Sequence, residues 1–260
     1  MRKIPIFIIV LAGLLTARVA WAQPQTRQQT DALWQEAATA YQEGNWQHAL
    51  ELYKSLESAG YGGAALDYNI GNCYYKAGGY LGTAILYYER ALKQDPQFAD
   101  AAFNLEMLRQ QTLDQIEVVP EFVLITWLRK IRETVSMDVW AGWAIAFFAL
   151  TLVGFLFFRY GGSRRLRKTA FTFSVLFLLC SLLSAGFGMS ARKALQREDT
   201  AVVIAPVSSV KSSPAAGGNN LFILHEGTKV LVLETLGDWN RIELSDGRQG
   251  WIQKKETMII

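Results

Sequence analysis

Two long uncharged runs, at 139–158 and 170–191, limit what this chain can become more than any other feature. A helix rises 1.5 Å per residue, so about 20 apolar residues cover the roughly 30 Å of a bilayer's hydrocarbon. Both runs are expected to span, as helices over 138–158 and 170–191, with Gly186 and Gly188 as small residues that permit close helix contact. Between them, at 159–169, lie Arg159, Arg164, Arg165, Arg167 and Lys168 with no acid, which the positive-inside rule assigns to the cytoplasm. The outer ends also carry cations, at Arg129, Lys130, Arg132, Arg192, Lys193 and Arg197, so the charge contrast is modest. Trp127, Trp140 and Trp143 suit an interfacial aromatic belt, and 118–137 reads as an amphipathic segment lying along the outer surface.

The first 22 residues agree with that topology. Arg2 and Lys3, an apolar run at 4–15 and then Ala20-Trp21-Ala22 have the order of a secretory signal cleaved after Ala22. An uncleaved anchor is the other reading, and either one sends the following segment across the membrane. Both flanking regions are therefore expected on the outer, periplasmic side of a bacterial inner membrane.

Residues 23–117 repeat themselves at a period of about 34. Tyr41, Gly44, Trp46, Ala49, Leu50 and Tyr53 recur as Tyr75, Gly79, Tyr80, Ala84, Ile85 and Tyr88, and the second copy closes on Asp95-Pro96. Glycine and small residues let paired helices approach, Ala49 and Ala84 sit where they cross, and Pro96 stops the second helix of the repeat. A third unit opens at Asp100 without a full partner helix before Val118-Val119-Pro120.

The pattern resembles the tetratricopeptide repeat. That resemblance implies an all-α solenoid whose concave face grips a peptide or helix. On a common repeat frame Trp34, Tyr68 and Phe103 take one first-helix position, an expected aromatic row beside Tyr41 and Tyr75. Asn72 and Asn104 fall where clamping repeats hold a ligand's backbone or carboxylate, although Tyr68 stands in place of the clamp's lysine. Asn72 also has a purely structural reading, since Gly-Asn is common at that point of the repeat.

At 199–260 the character changes to β. Apolar segments at 201–206, 221–224, 229–233 and 240–244 alternate with turn signals at Pro214, Gly227, Gly237 and Gly247, which suggests a small barrel. Leu224 through Val230, Gly237-Asp238-Trp239 and Gly250-Trp251-Ile252 resemble the bacterial SH3-like pattern, in which Trp239, Arg248 and Trp251 would line a shallow groove. Alternatively, one or both Trp rings fill the core.

Chemistry is not encoded in any recognisable form. A net charge of +3 is too small for a nucleic-acid footprint. Cys73 and Cys180 lack metal-ligand spacing and read as buried thiols, His48 and His225 read as surface residues, and the acids read as scattered over helix surfaces. With no phosphate-binding loop, catalytic constellation, metal site or cofactor motif, the chain is read as non-enzymatic.

The order of signal, repeats, two spans about a basic loop and SH3-like module resembles the BatE family of aerotolerance-operon proteins. The matching stretches are Gly71 to Lys76, Ala84 to Leu92 and Leu224 to Val230. The resemblance implies an adaptor beside membrane proteins with von Willebrand factor A domains and, indirectly, a MoxR-type ATPase. A peptidoglycan-binding wall tether is the competing expectation.

Overall fold

The computed structural model describes residues 24–116, 123–197 and 199–260. The expected signal peptide at 1–22 and the break at 118–120 lie outside the described residues.

Five helices form the first unit: α1 (Pro24–Gln42), α2 (Trp46–Ser58), α3 (Ala64–Ala77), α4 (Leu81–Gln94) and α5 (Ala99–Arg109). Short turns join α1 to α2 and α3 to α4, and both use the positive backbone torsion that glycine allows, at Gly44 (φ 80°) and Gly78 (φ 76°). Asn45 starts α2 by accepting the His48 N–H at 3.4 Å. Ala37, Ala49, Leu56, Ile70 and Cys73 pack between the two pairs, with Ala49 fully buried. In the second pair Gly71 lies flat on the Tyr88 ring, where a Cβ would come within 2.9 Å of Cε1, and Ala84 beside it is fully buried. Burial of Ile85 and Leu86 on α4 contributes roughly 1.5–3 kcal/mol each, well above the few tenths at stake in helix propensity.

The next three helices are α6 (Val123–Glu133), α7 (Met137–Tyr160) and α8 (Arg164–Leu195). α7 and α8 are long and apolar enough to cross a membrane, and in their most apolar stretches none of α7 and 17% of α8 is buried. That exposure is unlike the core helix of a soluble domain. They pack through small residues. A Cβ on Gly154 would lie 3.1 Å from that of Ser174, and the Ser174 and Ser181 hydroxyls donate to the carbonyls of Thr151 and Ala144 at 2.9 Å. Gly188 meets Trp140, whereas Gly186 faces open space.

The connection is shorter than the 11-residue loop read from the sequence, because Ser163 caps the Leu166 N–H at 3.2 Å and α8 starts at Arg164. Arg164, Arg165, Arg167 and Lys168 are good helix formers and are wound into the first turns of α8, whereas Arg159 lies in the last turn of α7.

Seven antiparallel strands complete the chain: β1 (Thr200–Val203), β2 (Val207–Lys211), β3 (Asn220–His225), β4 (Lys229–Leu236), β5 (Trp239–Glu243), β6 (Gln249–Gln253) and β7 (Thr257–Ile259). Their order is β3-β2-β6-β5-β4-β1-β7, an open sheet with β3 and β7 at its edges, where the sequence suggested a small barrel. It still curls about one core of Val203, Val210, Leu224, Val230, Ile242 and Ile252. Closure stops at β7 because α4 lies there: Arg90 and Lys93 donate to the carbonyls of Ile259 and Ile260 at 2.7 and 2.8 Å.

Candidate binding surfaces

On the helical unit the expected aromatic row does not assemble as a row. Trp34 packs edge-on against Tyr53, with ring centroids 5.4 Å apart, and supports the α1–α2 core. Tyr68 lies between Tyr88 and Phe98, at 5.9 and 4.9 Å. Phe103 is 71% exposed, and no ring contact joins the three. Tyr41 is half-buried against Trp46, and Tyr75 against the α4–α5 core.

Tyr68, Asn72 and Asn104 do come together, with Tyr88, which the sequence reading did not single out. The Tyr88 hydroxyl donates to Asn72 Oδ1 at 2.7 Å, and Asn104 Nδ2 donates to the same oxygen at 3.1 Å. Asn104 Nδ2 also approaches the Tyr68 and Tyr88 hydroxyls at 3.4 Å. Burial pushes the Tyr88 hydroxyl well above its ordinary pKa, so it stays a neutral donor. In this arrangement of the amides, Asn72 Nδ2 and Asn104 Oδ1 have no hydrogen-bond partner among the described residues. A donor on α3 and an acceptor on α5 therefore stand side by side, complementary to a peptide's C=O and N–H.

On the sheet, alternation decides the tryptophans. Asn240, Ile242, Gly250 and Ile252 point inward, so Trp239 and Trp251 lie on the outward face, both half-buried. Trp251 therefore does not fill the core. It pairs with Arg241 and Lys211 on the neighbouring strands, and the Lys211 ammonium stands 5.8 Å from the Trp239 ring centre. Gly250 makes this possible, since a Cβ there would come within 2.4 Å of Val210. Arg248 departs from the expected groove: it pairs with Asp246 at 2.7 Å and lies over Phe222 at 4.9 Å.

Polar contacts join the two units, and the sequence did not announce them. Glu89 on α4 is 6% exposed and holds Arg109 at 2.5 Å and Lys229 of β4 at 2.7 Å. Asp114 accepts from the His225 N–H at 2.6 Å and the Thr228 hydroxyl at 2.7 Å, and its other oxygen lies 2.9 Å from His225 Nδ1. Burial alone would raise the Asp114 pKa, but those hydrogen bonds outweigh it and hold the carboxyl below its ordinary range. Gly82 donates to Glu226 at 2.9 Å and leaves no room for a side chain, with Val203 O and Gly227 N within 2.7 and 3.0 Å of a notional Cβ. Val202 and Ile260 complete the apolar contact with Ile85, Leu105 and Leu108.

Two sequence expectations are corrected here. His225 is not a free surface residue, and Glu89 and Asp67 are buried acids. The signal for Glu89 was present, as a charge at a helical position flanked by Ile85, Leu86, Tyr88 and Leu92 in an otherwise apolar stripe.

Cys73 is fully buried and its thiol is pushed up to about 12 by burial, well above the range of a reactive thiolate. Among the described residues no group of His, Cys, Asp and Glu converges to hold a metal ion. No family model matches the chain, and no curated protein matches it.

Proposed function

We propose that the chain is a non-enzymatic adaptor of the bacterial inner membrane, a BatE-type protein anchored by the α7–α8 hairpin, with a tetratricopeptide-like helical unit and an SH3-like sheet both in the periplasm. The helical unit binds a peptide or helix of a partner protein across Tyr68, Asn72 and Asn104. One observation carries this: the side-by-side donor and acceptor of Asn72 and Asn104, with the exposed Phe103 next along the chain. Hydrogen bonds to backbone amides supply affinity without demanding a particular ligand sequence, and an exposed aromatic adds apolar area. The contact of α4 with β1 and β7 supports the topology, because two units that touch must lie on one side of whatever the hairpin crosses. The partners implied by the family resemblance are membrane proteins with von Willebrand factor A domains and, through them, a MoxR-type ATPase.

A second reading has its own support. Trp239, Trp251, Lys211 and Arg241 share the outward face of the sheet, and aromatic rings with cations suit a saccharide-peptide polymer, so the sheet is the candidate for a peptidoglycan tether.

The test is a pull-down from native membranes with the full chain. Trp34→Ala and Tyr68→Ala would remove packing, and Asn104→Ala would remove the hydrogen bonds that tie α5 to α3 and α4, so Phe103→Ala is the cleaner probe. The adaptor reading expects loss of membrane partners in Phe103→Ala and no change with Trp239→Ala. Retention of wall fragments that depends on Trp239 and is indifferent to Phe103 would replace it with the tether.

A further inference from the structure

α6 does not lie apart from the hairpin. A short turn, Thr134 to Ser136, joins it to α7, and the Trp140 indole donates to Arg132 O at 3.1 Å. Ile125 and Leu128, on one side of α6, share a groove with Leu182 and Leu183 of α8, while Arg132 stands by Ser190 nearer the end of that helix. α6 therefore runs beside the outer turns of α8 and in the same direction.

Polarity in α6 changes along its axis more than around it. Residues 123–128 carry no charge, and every charge lies from Arg129 onward. Val123 and Ile125 point about 200° apart at 100° per residue. They are 80% and 53% exposed, so apolar side chains leave the first half of the helix on opposite sides. Leu124 and Trp127, between them, are exposed as well. This surface is continuous with that of the hairpin, because Leu182 and Leu183 line the same groove and are themselves exposed. Whatever covers α8 there also covers α6.

We propose that α6 is a third membrane-embedded element, docked on the acyl chains of the leaflet on the soluble-unit side. Its first half reaches roughly 5–10 Å into the boundary between headgroups and acyl chains. Its charged half stays among the headgroups, since a charge is costly at greater depth. Length agrees: 11 residues rise about 16 Å, half of the roughly 30 Å hydrocarbon thickness, so α6 enters one leaflet and does not cross. Trp127 falls at the boundary, where tryptophan is favoured. The insertion also holds the sheet down. Ile116 packs on the sheet core and Asp114 accepts the His225 N–H, and Val123 follows Ile116 by seven positions, a reach of about 25 Å at most. The proposal rests on the hairpin crossing a membrane.

The experiment uses the full chain in vesicles of phosphatidylcholine and phosphatidylglycerol, with a nitroxide on one introduced cysteine in a Cys180→Ala background. Cys73 is fully buried and its thiol is pushed up to about 12, so it stays unlabelled. Labels at Leu124→Cys and Thr126→Cys lie on opposite sides of α6. Both are expected to collide more with oxygen than with a water-soluble nickel chelate, approaching the ratio at Leu182→Cys, and Lys130→Cys is expected to reverse it. A nickel-favoured ratio at both 124 and 126 overturns the insertion. An oxygen-favoured 124 with a nickel-favoured 126 overturns it too, in favour of a helix lying flat, and shielding of both labels from both reagents means that protein and not lipid covers the helix. The Leu182→Cys label separates the two failures. A nickel-favoured ratio there sinks the spanning reading, whereas an oxygen-favoured one beside a nickel-favoured Leu124→Cys sinks only the insertion of α6.

Discussion

Two long-range interfaces among the described residues have opposite chemistry. Where α4 meets the sheet, Glu89, Asp114, Arg90 and Lys93 make charged or charge-assisted contacts around a small apolar patch. Where α7 meets α8 no ion pair joins the two helices among the described residues, and the polar contacts there are the hydroxyls of Ser174 and Ser181 turned onto backbone carbonyls. The proposed topology would account for the difference through the solvent. In water, side-by-side helix and sheet gain from excluding apolar surface, and charges at the rim orient the pair. For a hairpin in hydrocarbon, as proposed, there would be no such drive, and close approach of small residues with a few hydroxyl bonds would have to suffice.

The polar interface should also be the easier one to break decisively. Gly82→Val is expected to have the largest effect, about 3 kcal/mol, because its Cβ would run into the backbone of Val203 and Gly227 and not into a movable side-chain tip. Thermal melting of the full chain followed by circular dichroism should change from one soluble-unit transition to two, since the variant parts the sheet from α4 while leaving each intact. A single unshifted transition would mean that the two units are not coupled through this contact. Glu89→Gln comes next, at about 2 kcal/mol. The amide keeps one acceptor but turns an NH2 toward Arg109 or Lys229 in a buried position.

Asp67 carries a smaller effect of the opposite sign. Burial pushes its carboxyl up to about 6, against the opposing pull of Arg90. The unfolded chain releases that proton near pH 3.9, so folding loses stability as pH rises from about 4 to 6. Asp114, held below its ordinary range, behaves in reverse: its contribution is present above about pH 3.9 and is lost as pH falls through its lower folded value. Asp67→Asn is therefore expected to gain about 1–2 kcal/mol at pH 7, after allowance for solvent screening, and to flatten the slope between pH 4 and 6. A slope that persists in the variant would place its origin elsewhere.

What could be read from the sequence follows the same division. The two long apolar helices were legible because each is an unbroken uncharged run, and the helical pairs because glycine turns and small residues recur at Gly44 and Gly78, Ala49 and Ala84. Strands such as β4, dense in Val and Leu, were legible too. β2 was not, because Val207–Lys211 carries two serines, and Ser208 is buried with its hydroxyl unpartnered among the described residues. Nor was the polar interface: Glu89 and Lys229, or Asp114 and His225, are more than a hundred residues apart and no local period links them. The open sheet has the same origin, since β7 ends against side chains of α4 that nothing near β7 foretells. For the candidate peptide surface, frame position found Asn72 and Asn104, but only packing revealed Tyr88 as their partner.

The smallest effect is expected inside the hairpin, and it tests the contrast most directly. Ser181→Ala removes the donor to Ala144 O yet leaves that carbonyl in its helix, so the loss should be about 0.6 kcal/mol, the average for such bonds between membrane helices. Ser174→Ala should match it, because Ser174 bonds Thr151 O at the same 2.9 Å. Reversible unfolding in mixed micelles would measure both. If either variant costs as much as Glu89→Gln, hydroxyl bonds carry the hairpin and the close approach of Gly154 to Ser174 is secondary. If both fall near the expected value and Gly154→Leu, which must push Ser174 aside, costs several times more, steric fit holds the spans together.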